Sequence, residues 1–457
     1  MIRGSIPDFA DAGRAPILLS HRQWSGCGGG SANTDPTDHL EPVRPMSRGE
    51  EIIVLGAGVV GMATALTLAD RGHRVTVVDS ARGPGLGTSF ANGAQLSFAY
   101  TDSLASPSVL GQIPRILLGL DPALRFQLHL DPDFLRWSLA FLRNCSAGAY
   151  RRNTLTGLAL AAESRRALQA LTERHALDYS YSVPGKIHIY RSAESFAGAE
   201  KMVALKQAGG VTQTLLDPDA AVALEPMLAP VRGEIAGALY TAGEAVGDPH
   251  RFCVTAHEAL IRAGGSSMFD LPVARIDAAG AVPAIVTRCG SRVPADRIIL
   301  TAGPGAPQLA RTLGVRLPIQ PMKGYSITAP TGAAAPAASI TDVANRVVFA
   351  RLGNRMRIAG LAELGRRDTR VEPKRVRALI DSARAALPQA ADYDHIESSW
   401  AGLRPMTPDS LPVTRPIAPG VIANTGHGGL GWTYAAGSAE RVAQLIEGNA
   451  SSFPGSR

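Results

Sequence analysis

Between Glu51 and Asp79 the chain reads as a strand, a glycine-marked turn, a helix and a second strand, and this order leaves few folds open. Glu51-Ile-Ile-Val-Leu55 is short and apolar, as a strand buried on both faces must be. Gly56, Gly58 and Gly61 follow at once with the spacing GxGxxG, and Met62 to Asp70 continues as an apolar helix. The first glycine permits a tight turn, the second lets backbone approach a pyrophosphate, and the third lets helix and strand close on each other. Val75-Thr-Val-Val-Asp79 supplies the next strand, and Asp79 stands at the separation where a carboxylate reaches ribose hydroxyls. This βαβ start predicts a dinucleotide site, with the pyrophosphate on the free N–H groups of a helix N-terminus. The motif alone leaves FAD and NAD equally open.

The chain has 457 residues, more than one compact core holds, so two interleaved domains are expected. Arg297-Ile-Ile-Leu-Thr301 is another buried strand running into Ala302-Gly303-Pro304, and Val421-Ile-Ala-Asn424 runs into a glycine-rich turn and a helix from Trp432 to about Ile446. Asp248-Pro249 has the signature of a helix cap followed by proline at the first helical position; Arg251 to Arg262 is amphipathic, and Gly264-Gly265 stops it. Asp133 to Ala140 and Leu155 to Arg174 look helical. Lys186–Tyr190, Tyr325–Thr328, Val347–Arg351 and Arg355–Ala359 alternate or carry β-branched residues, as strands do. The pattern is an α/β nucleotide-binding domain interrupted twice by an α+β domain with a mixed sheet, without internal repeats. The boundaries expected are 49–100, 235–314 and 412–450 for the first domain, 101–234 and 315–411 for the second.

Composition narrows the functional classes. The net charge of +7 comes almost entirely from arginine spread along the chain, with no clustered basic stripe and no interleaved aromatics, so no nucleic-acid partner is expected. Cys27, Cys145, Cys253 and Cys289 form no CxxC pair, which suggests neither a metal site nor a disulfide framework and fits a cytoplasmic setting. Residues 1–48 are rich in Gly, Asp, Pro and Thr and read as a disordered extension without a secretory h-region; Met46 is a candidate natural start. Ile52 to Ala69 is uncharged and long enough to span a bilayer, but its three spaced glycines argue for a buried strand and helix.

Five runs carry a more specific signal: Gly87-Thr-Ser-Phe-Ala-Asn-Gly-Ala-Gln-Leu-Ser97, Met322-Lys-Gly-Tyr-Ser326, Asn354-Arg-Met-Arg-Ile-Ala-Gly360, Trp400-Ala-Gly-Leu-Arg-Pro-Met-Thr-Pro-Asp409 and Asn424-Thr-Gly-His-Gly-Gly-Leu-Gly-Trp-Thr433. In this order they resemble the bacterial D-amino acid dehydrogenases, of the wider D-amino acid oxidase and glycine oxidase superfamily, over roughly Glu51 to Gly448. The resemblance implies a Rossmann-like FAD-binding domain interleaved with the second domain. It also implies FAD as cofactor, with the fingerprint Ile52, Ile53, Val54, Leu55, Gly56, Ala57, Gly58, Val59, Val60, Gly61 and Met62, then Asp79, Val273, Ala302 and Gly303 as contacts. Ser89, Asn92 and Gln95 are expected along the flavin ring and ribityl chain, and Gly426, His427, Gly428, Gly429 and Leu430 at the flavin's pyrimidine end, where a helix N-terminus stabilises negative charge. Two departures stand out: Gly93-Ala94 reverses the commoner Ala-Gly order, and Ser410 stands where a glycine often follows Thr-Pro-Asp.

The same resemblance assigns Arg404 to the substrate carboxylate, a role suited to a guanidinium because it grips two oxygens at once. Tyr325 is either a substrate contact or a core aromatic, and His427 either a base or, preferably, a residue that bonds its own loop. Lys323 stands out in a chain with few lysines; Arg355 and Arg357, two apart on a strand, read as a solvated basic face. The reaction implied is hydride transfer from the α-carbon of a D-amino acid to flavin N5, then hydrolysis of the imino acid to a 2-oxo acid and ammonia. Hydroxy-D-proline, glycine or sarcosine are the alternative substrates. Electrons would pass to a quinone or other respiratory acceptor, with peripheral contact at the inner face of the plasma membrane; Phe134, Trp137, Leu139 and Phe141 with Arg136 and Arg143 form either a membrane-facing patch or, preferably, a packed helix.

Overall fold

Residues 49–117, 123–127, 129–207 and 210–448 are described by the structure, a computed structural model of the full chain, and the N-terminal extension lies outside them. Glu51–Leu55 enters the middle of a six-stranded sheet ordered Val413–Ala418, Val421–Thr425, Arg297–Leu300, Glu51–Leu55, Arg74–Val78, Ser266–Met268. All neighbours are parallel except the antiparallel edge strand Val413–Ala418. Side chains alternate across the sheet and build two cores. Ile52, Val54, Val75, Val77, Ile299 and Ile422 pack under helices Val59–Ala69, Pro249–Arg262, Gly431–Ile446 and the long Ala147–His175. Ile53, Leu55, Val78, Ile298 and Leu300 face the antiparallel meander Val273–Asp277, Ala284–Thr287, Arg292–Pro294 and the short helix Ala306–Arg311. The uncharged stretch Ile52 to Ala69 is thus a strand and a helix, and no helix among the described residues is long and apolar enough to cross a membrane.

The second sheet has nine described strands. Its order is Ser398–Met406, Gln320–Pro330, Arg355–Leu364, Val347–Leu352, Ser339–Asp342, Lys186–Tyr190, Gly237–Thr241, Thr214–Leu216, with Leu124–Phe126 pairing alongside Arg355–Leu364. It is mixed: Ser339–Asp342 runs parallel to Lys186–Tyr190 while most other pairs are antiparallel. Helices Pro218–Leu224 and Pro373–Ala386 cover one face. Gly237–Thr241, expected within the first domain, belongs to this sheet instead. Its residue Ala238 sits in the core beneath those helices and Leu239 in a cluster on the other side, so both faces of the strand are buried here. The chain returns to the first sheet through Asp248, whose carboxylate caps Pro249–Arg262 by accepting the His250 and Arg251 N–H groups at 3.0 and 3.2 Å.

Helix Pro132–Asn144 closes the end of the second sheet. Phe134 and Trp137 are buried with Met322, Leu364 and Met406, and the Trp137 indole donates to the Met406 carbonyl at 2.8 Å. Leu135, Leu139 and Leu142 lie on the outer face of the same helix and are exposed. Of the four residues read as a membrane-facing patch or, preferably, a packed helix, Phe134 and Trp137 point in, Leu139 points out, and Phe141 stacks on Trp137 at 5.2 Å.

Candidate active site

The two sheets meet around one large cavity of about 1680 Å³, lined by both of them. This is roomier than the 300–1,000 Å³ usual for a single small ligand. Its inner wall is the strand–turn–helix read first in the sequence. Gly56 has φ 119°, and a β-carbon there would stand 2.7 Å from the Thr301 carbonyl oxygen. A β-carbon on Gly61 would overlap the Gly56 carbonyl oxygen at 1.8 Å, which is why helix and strand close only over glycine. Gly58 precedes helix Val59–Ala69 and offers it no side-chain cap. The Val59 N–H is held by the Ser89 hydroxyl at 3.0 Å. Asp79, just past the second strand, is fixed by the Ala57 and Ala81 N–H groups at 2.7 and 2.8 Å.

Across the cavity, Gly426 and Gly428 adopt positive φ of 79° and 58° and turn the chain into a short helical turn and then Gly431–Ile446, whose N-terminus has no side-chain cap. Two helix N-termini that receive no side-chain cap from their own N-cap residues, one of them with its Val59 N–H on Ser89, and a fixed carboxylate therefore open on the same space, a donor set that fits a dinucleotide with its pyrophosphate and ribose. His427 lies in this loop, buried, with Nε2 2.9 Å from the Ser438 hydroxyl. Burial pushes its imidazole down to about 3, so it is neutral and a poor base at neutral pH.

Of the expected cofactor contacts, Leu55, Gly56, Gly58, Val59, Val60, Asp79, Ser89, Asn92, Gln95, Val273, Ala302, Gly303 and the loop Gly426 to Leu430 all line the cavity. Ile52, Ile53, Val54 and Met62 do not; they are core residues that set the strand and helix behind it. Ala57 acts through its N–H on Asp79, and Gly61 through close packing. Asn92 accepts the Ala94 N–H at 2.8 Å, and Gln95 donates to the Ser339 hydroxyl at 2.7 Å.

Arg404 sits on strand Ser398–Met406, directly opposite Met322. Met322 and Gly324, two apart, share a face of the neighbouring strand, so the Arg404 side chain runs along that face and over Gly324. Among the described residues it makes one long bond, 3.4 Å to the Leu361 carbonyl, and no ion pair. Burial lowers its pKa, the signature of a cation held out of bulk water without an anion beside it. Tyr325 is placed differently. Its side chain is 1% exposed, packed with Ile327, Ile358 and Leu379, and its hydroxyl is 3.5 Å from Glu363, whose other oxygen pairs with Arg375 at 2.6 Å. It forms part of the cavity wall from within the core. Lys323, fully buried, bonds Asp368 at 2.8 Å and the Arg370 carbonyl at 2.6 Å, and its ammonium lies 5.3 Å from the Tyr325 ring centre.

Two further placements were not expected. Arg357 is buried, not solvated: it donates to the Thr328 hydroxyl at 2.9 Å and to the Asn92 carbonyl at 3.0 Å, tying the second sheet to the loop after the first. Lys186 and Glu244 form a buried ion pair at 3.2 Å; Lys186 also bonds Ser97, and Glu244 accepts the Ala99 N–H at 2.6 Å, so the pair fixes the segment that leaves the cavity wall. Gly324 itself was legible as a signal, since a glycine inside a strand often marks a close approach.

With this geometry in place, the class is defined: the chain belongs to the FAD dependent oxidoreductase family DAO, which matches residues 51–445, and FAD is its cofactor. Its relatives include the D-amino acid dehydrogenase of Paramagnetospirillum magneticum, 40% identical with 88% of this chain and 96% of that protein covered, and D-amino acid dehydrogenase 2 of Ralstonia nicotianae, 39% identical over 87% and 96%. Among solved structures, glycine oxidase from Geobacillus kaustophilus superposes with a TM-score of 0.70 at 22% identity, covering 89% of this chain and 97% of that one. L-proline dehydrogenase from P. horikoshii gives 0.69 at 17% identity, covering 89% and 96%. These likenesses establish the interleaved two-sheet fold.

Proposed function

We propose that this flavoenzyme oxidises D-amino acids to 2-oxo acids and ammonia. The observation that carries the reading is Arg404: a cavity-lining guanidinium, partly desolvated, without an ion pair among the described residues, in a chain whose relatives are named D-amino acid dehydrogenases. Such a group is worth most when a carboxylate arrives, since two charge-assisted bonds then form in a site that water no longer screens. Arg404 fixes the substrate by its carboxylate and thereby orients the α-carbon, so that positioning contributes most of the rate. FAD, when bound, supplies the acceptor for the hydride that leaves the α-carbon.

The residues proposed to hold the cofactor are Gly56, Gly58 and the N-terminus of Val59–Ala69 at the pyrophosphate, Asp79 at the ribose, Ser89, Asn92 and Gln95 along the ring and ribityl chain, and Gly426 to Leu430 at the far end. His427 holds its loop through Ser438 and moves no proton; the substrate amine enters neutral and needs no strong base. Tyr325 supports the wall beside Arg404 from the core. Leu104, Leu135 and Leu142 are exposed and also line the cavity, so its rim is apolar, which suits a quinone acceptor approaching from the inner face of a membrane.

The test is product analysis under argon with a soluble quinone. D-alanine is expected to give pyruvate and ammonia in equal amounts while L-alanine gives neither. Turnover of the L-isomer alone, or of no amino or imino acid in a panel that includes glycine, sarcosine and cis-4-hydroxy-D-proline, contradicts the reading. Faster reoxidation by oxygen than by quinone contradicts the acceptor.

A further inference from the structure

Ser410 has φ 65°, a left-handed conformation that glycine adopts freely and serine does not. Its hydroxyl nevertheless makes contacts that glycine lacks. It accepts the Leu104 N–H at 3.0 Å and lies 3.3 Å from the Ser103 hydroxyl, which also reaches the Asp409 carbonyl at 3.3 Å. The two segments joined here both line the cavity. Ser410 follows the strand of Arg404 by four residues beyond its end at Met406, while Leu104 belongs to the run Tyr100, Asp102, Leu104 that lines the cavity before helix Pro107–Leu117. Further back this run is held by Glu244 at Ala99 and by Thr154 at Ser103, so the Ser410 hydroxyl is the last of these ties before the rim. Leu104 is 39% exposed and cavity-lining, which places it at the mouth.

We infer that Ser410 is a positioning residue: its hydroxyl latches the Leu104 segment to the end of the Arg404 strand and thereby limits the room for a substrate side chain. The inference rests on the D-amino acid reading for its substrates, but the latch itself is readable without turnover. A strained serine stands where glycine would be unstrained, and the bond to Leu104 is what its hydroxyl adds.

Two variants separate latch from strain. Ser410→Gly removes the hydroxyl and relieves the backbone; Ser410→Ala removes the hydroxyl and keeps the strain. In both, exchange of the Leu104 amide hydrogen is expected to accelerate about fivefold, the loss of one hydrogen bond. In both, the ratio of kcat/KM for D-phenylalanine over D-alanine is expected to rise about threefold or more, although Ser410→Gly is the more stable of the two. Unchanged exchange, an unchanged ratio, or kinetics that follow stability, with the glycine variant like wild type and the alanine variant alone altered, overturns the inference. A wild-type protein that oxidises no D-amino acid sinks the substrate reading instead, and the latch then stands or falls on the exchange result alone.

Discussion

The guanidinium of Arg404 lies on the bare backbone of Gly324: a β-carbon there would stand 2.4 Å from one terminal nitrogen and 2.6 Å from Cζ. The two are brought together by register, Gly324 facing Gly402 and Met322 facing Arg404 on the adjacent strand. The cation is thus seated by the absence of a side chain, and its direction into the cavity depends on that absence.

Gly324→Ala is expected to push the guanidinium out of its seat while leaving the sheet paired. KM for the amino acid should rise at least about tenfold, with the flavin spectrum and thermal midpoint near wild type. Steady-state kinetics beside a melting curve checks this. A variant with wild-type KM means that the seat does not orient Arg404.

Arg404→Lys keeps the charge and loses the planar fork. The expected drop in kcat/KM is about a hundredfold, the worth of charge-assisted bonds that a point charge does not replace. If lysine restores most of the activity, the carboxylate is not gripped at two oxygens.

Ala94 is buried and sits at φ 56°. Ala94→Gly should raise stability in denaturant titration by about 1 kcal/mol, since an L side chain in this region costs about that much. Gly93→Ala is expected to be unfavourable, its new carbon lying 3.1 Å from Val348. An unchanged or lower midpoint for Ala94→Gly contradicts the assignment of strain.

These two positions show how far the sequence was legible. The βαβ start and the helix Pro249–Arg262 with its Asp248 cap were readable, because periodicity, glycine spacing and capping are local signals; Arg404 was readable only within a run of family resemblance, and its strand Ser398–Met406 was not read. The departures at Ala94 and Ser410 were visible as letters, but what the two positions share, a left-handed backbone that suits glycine better, needs the dihedral angles. Arg357 looked like a surface residue because nothing near it in the chain announces Asn92, 265 residues away, as its partner. Tyr325 could be read either way since an aromatic strand residue has two faces to choose from, and packing, not pattern, puts it in the core. The boundary expected at 235 put Gly237–Thr241 in the first domain, whereas its pairing with Lys186–Tyr190 is a long-range contact that the local sequence does not announce.

Stability should fall in mild acid. His427 titrates near 6.5 when unfolded and at about 3 in the fold, so between these values the unfolded chain binds the extra proton. The unfolded state gains on the native one as pH drops through 6.5, by about 2 kcal/mol at pH 5 from this group. Buried His188, with both ring nitrogens unpartnered among the described residues and its pKa also well lowered, adds to the same trend. Denaturation at pH 7 and pH 5 measures it, and His427→Asn should flatten the difference. The pH profile of kcat/KM should show no limb that this variant removes.

The central claim is that a D-amino acid, held by Arg404, reduces the bound flavin. Its most direct test is an anaerobic absorbance spectrum of the purified holoprotein with D-alanine, L-alanine and cis-4-hydroxy-D-proline added in turn, repeated on Arg404→Lys. The account predicts bleaching of the flavin band by D-alanine and not by L-alanine, slowed about a hundredfold in the variant. A band that no D-isomer bleaches, or one that bleaches equally fast without the guanidinium, contradicts it.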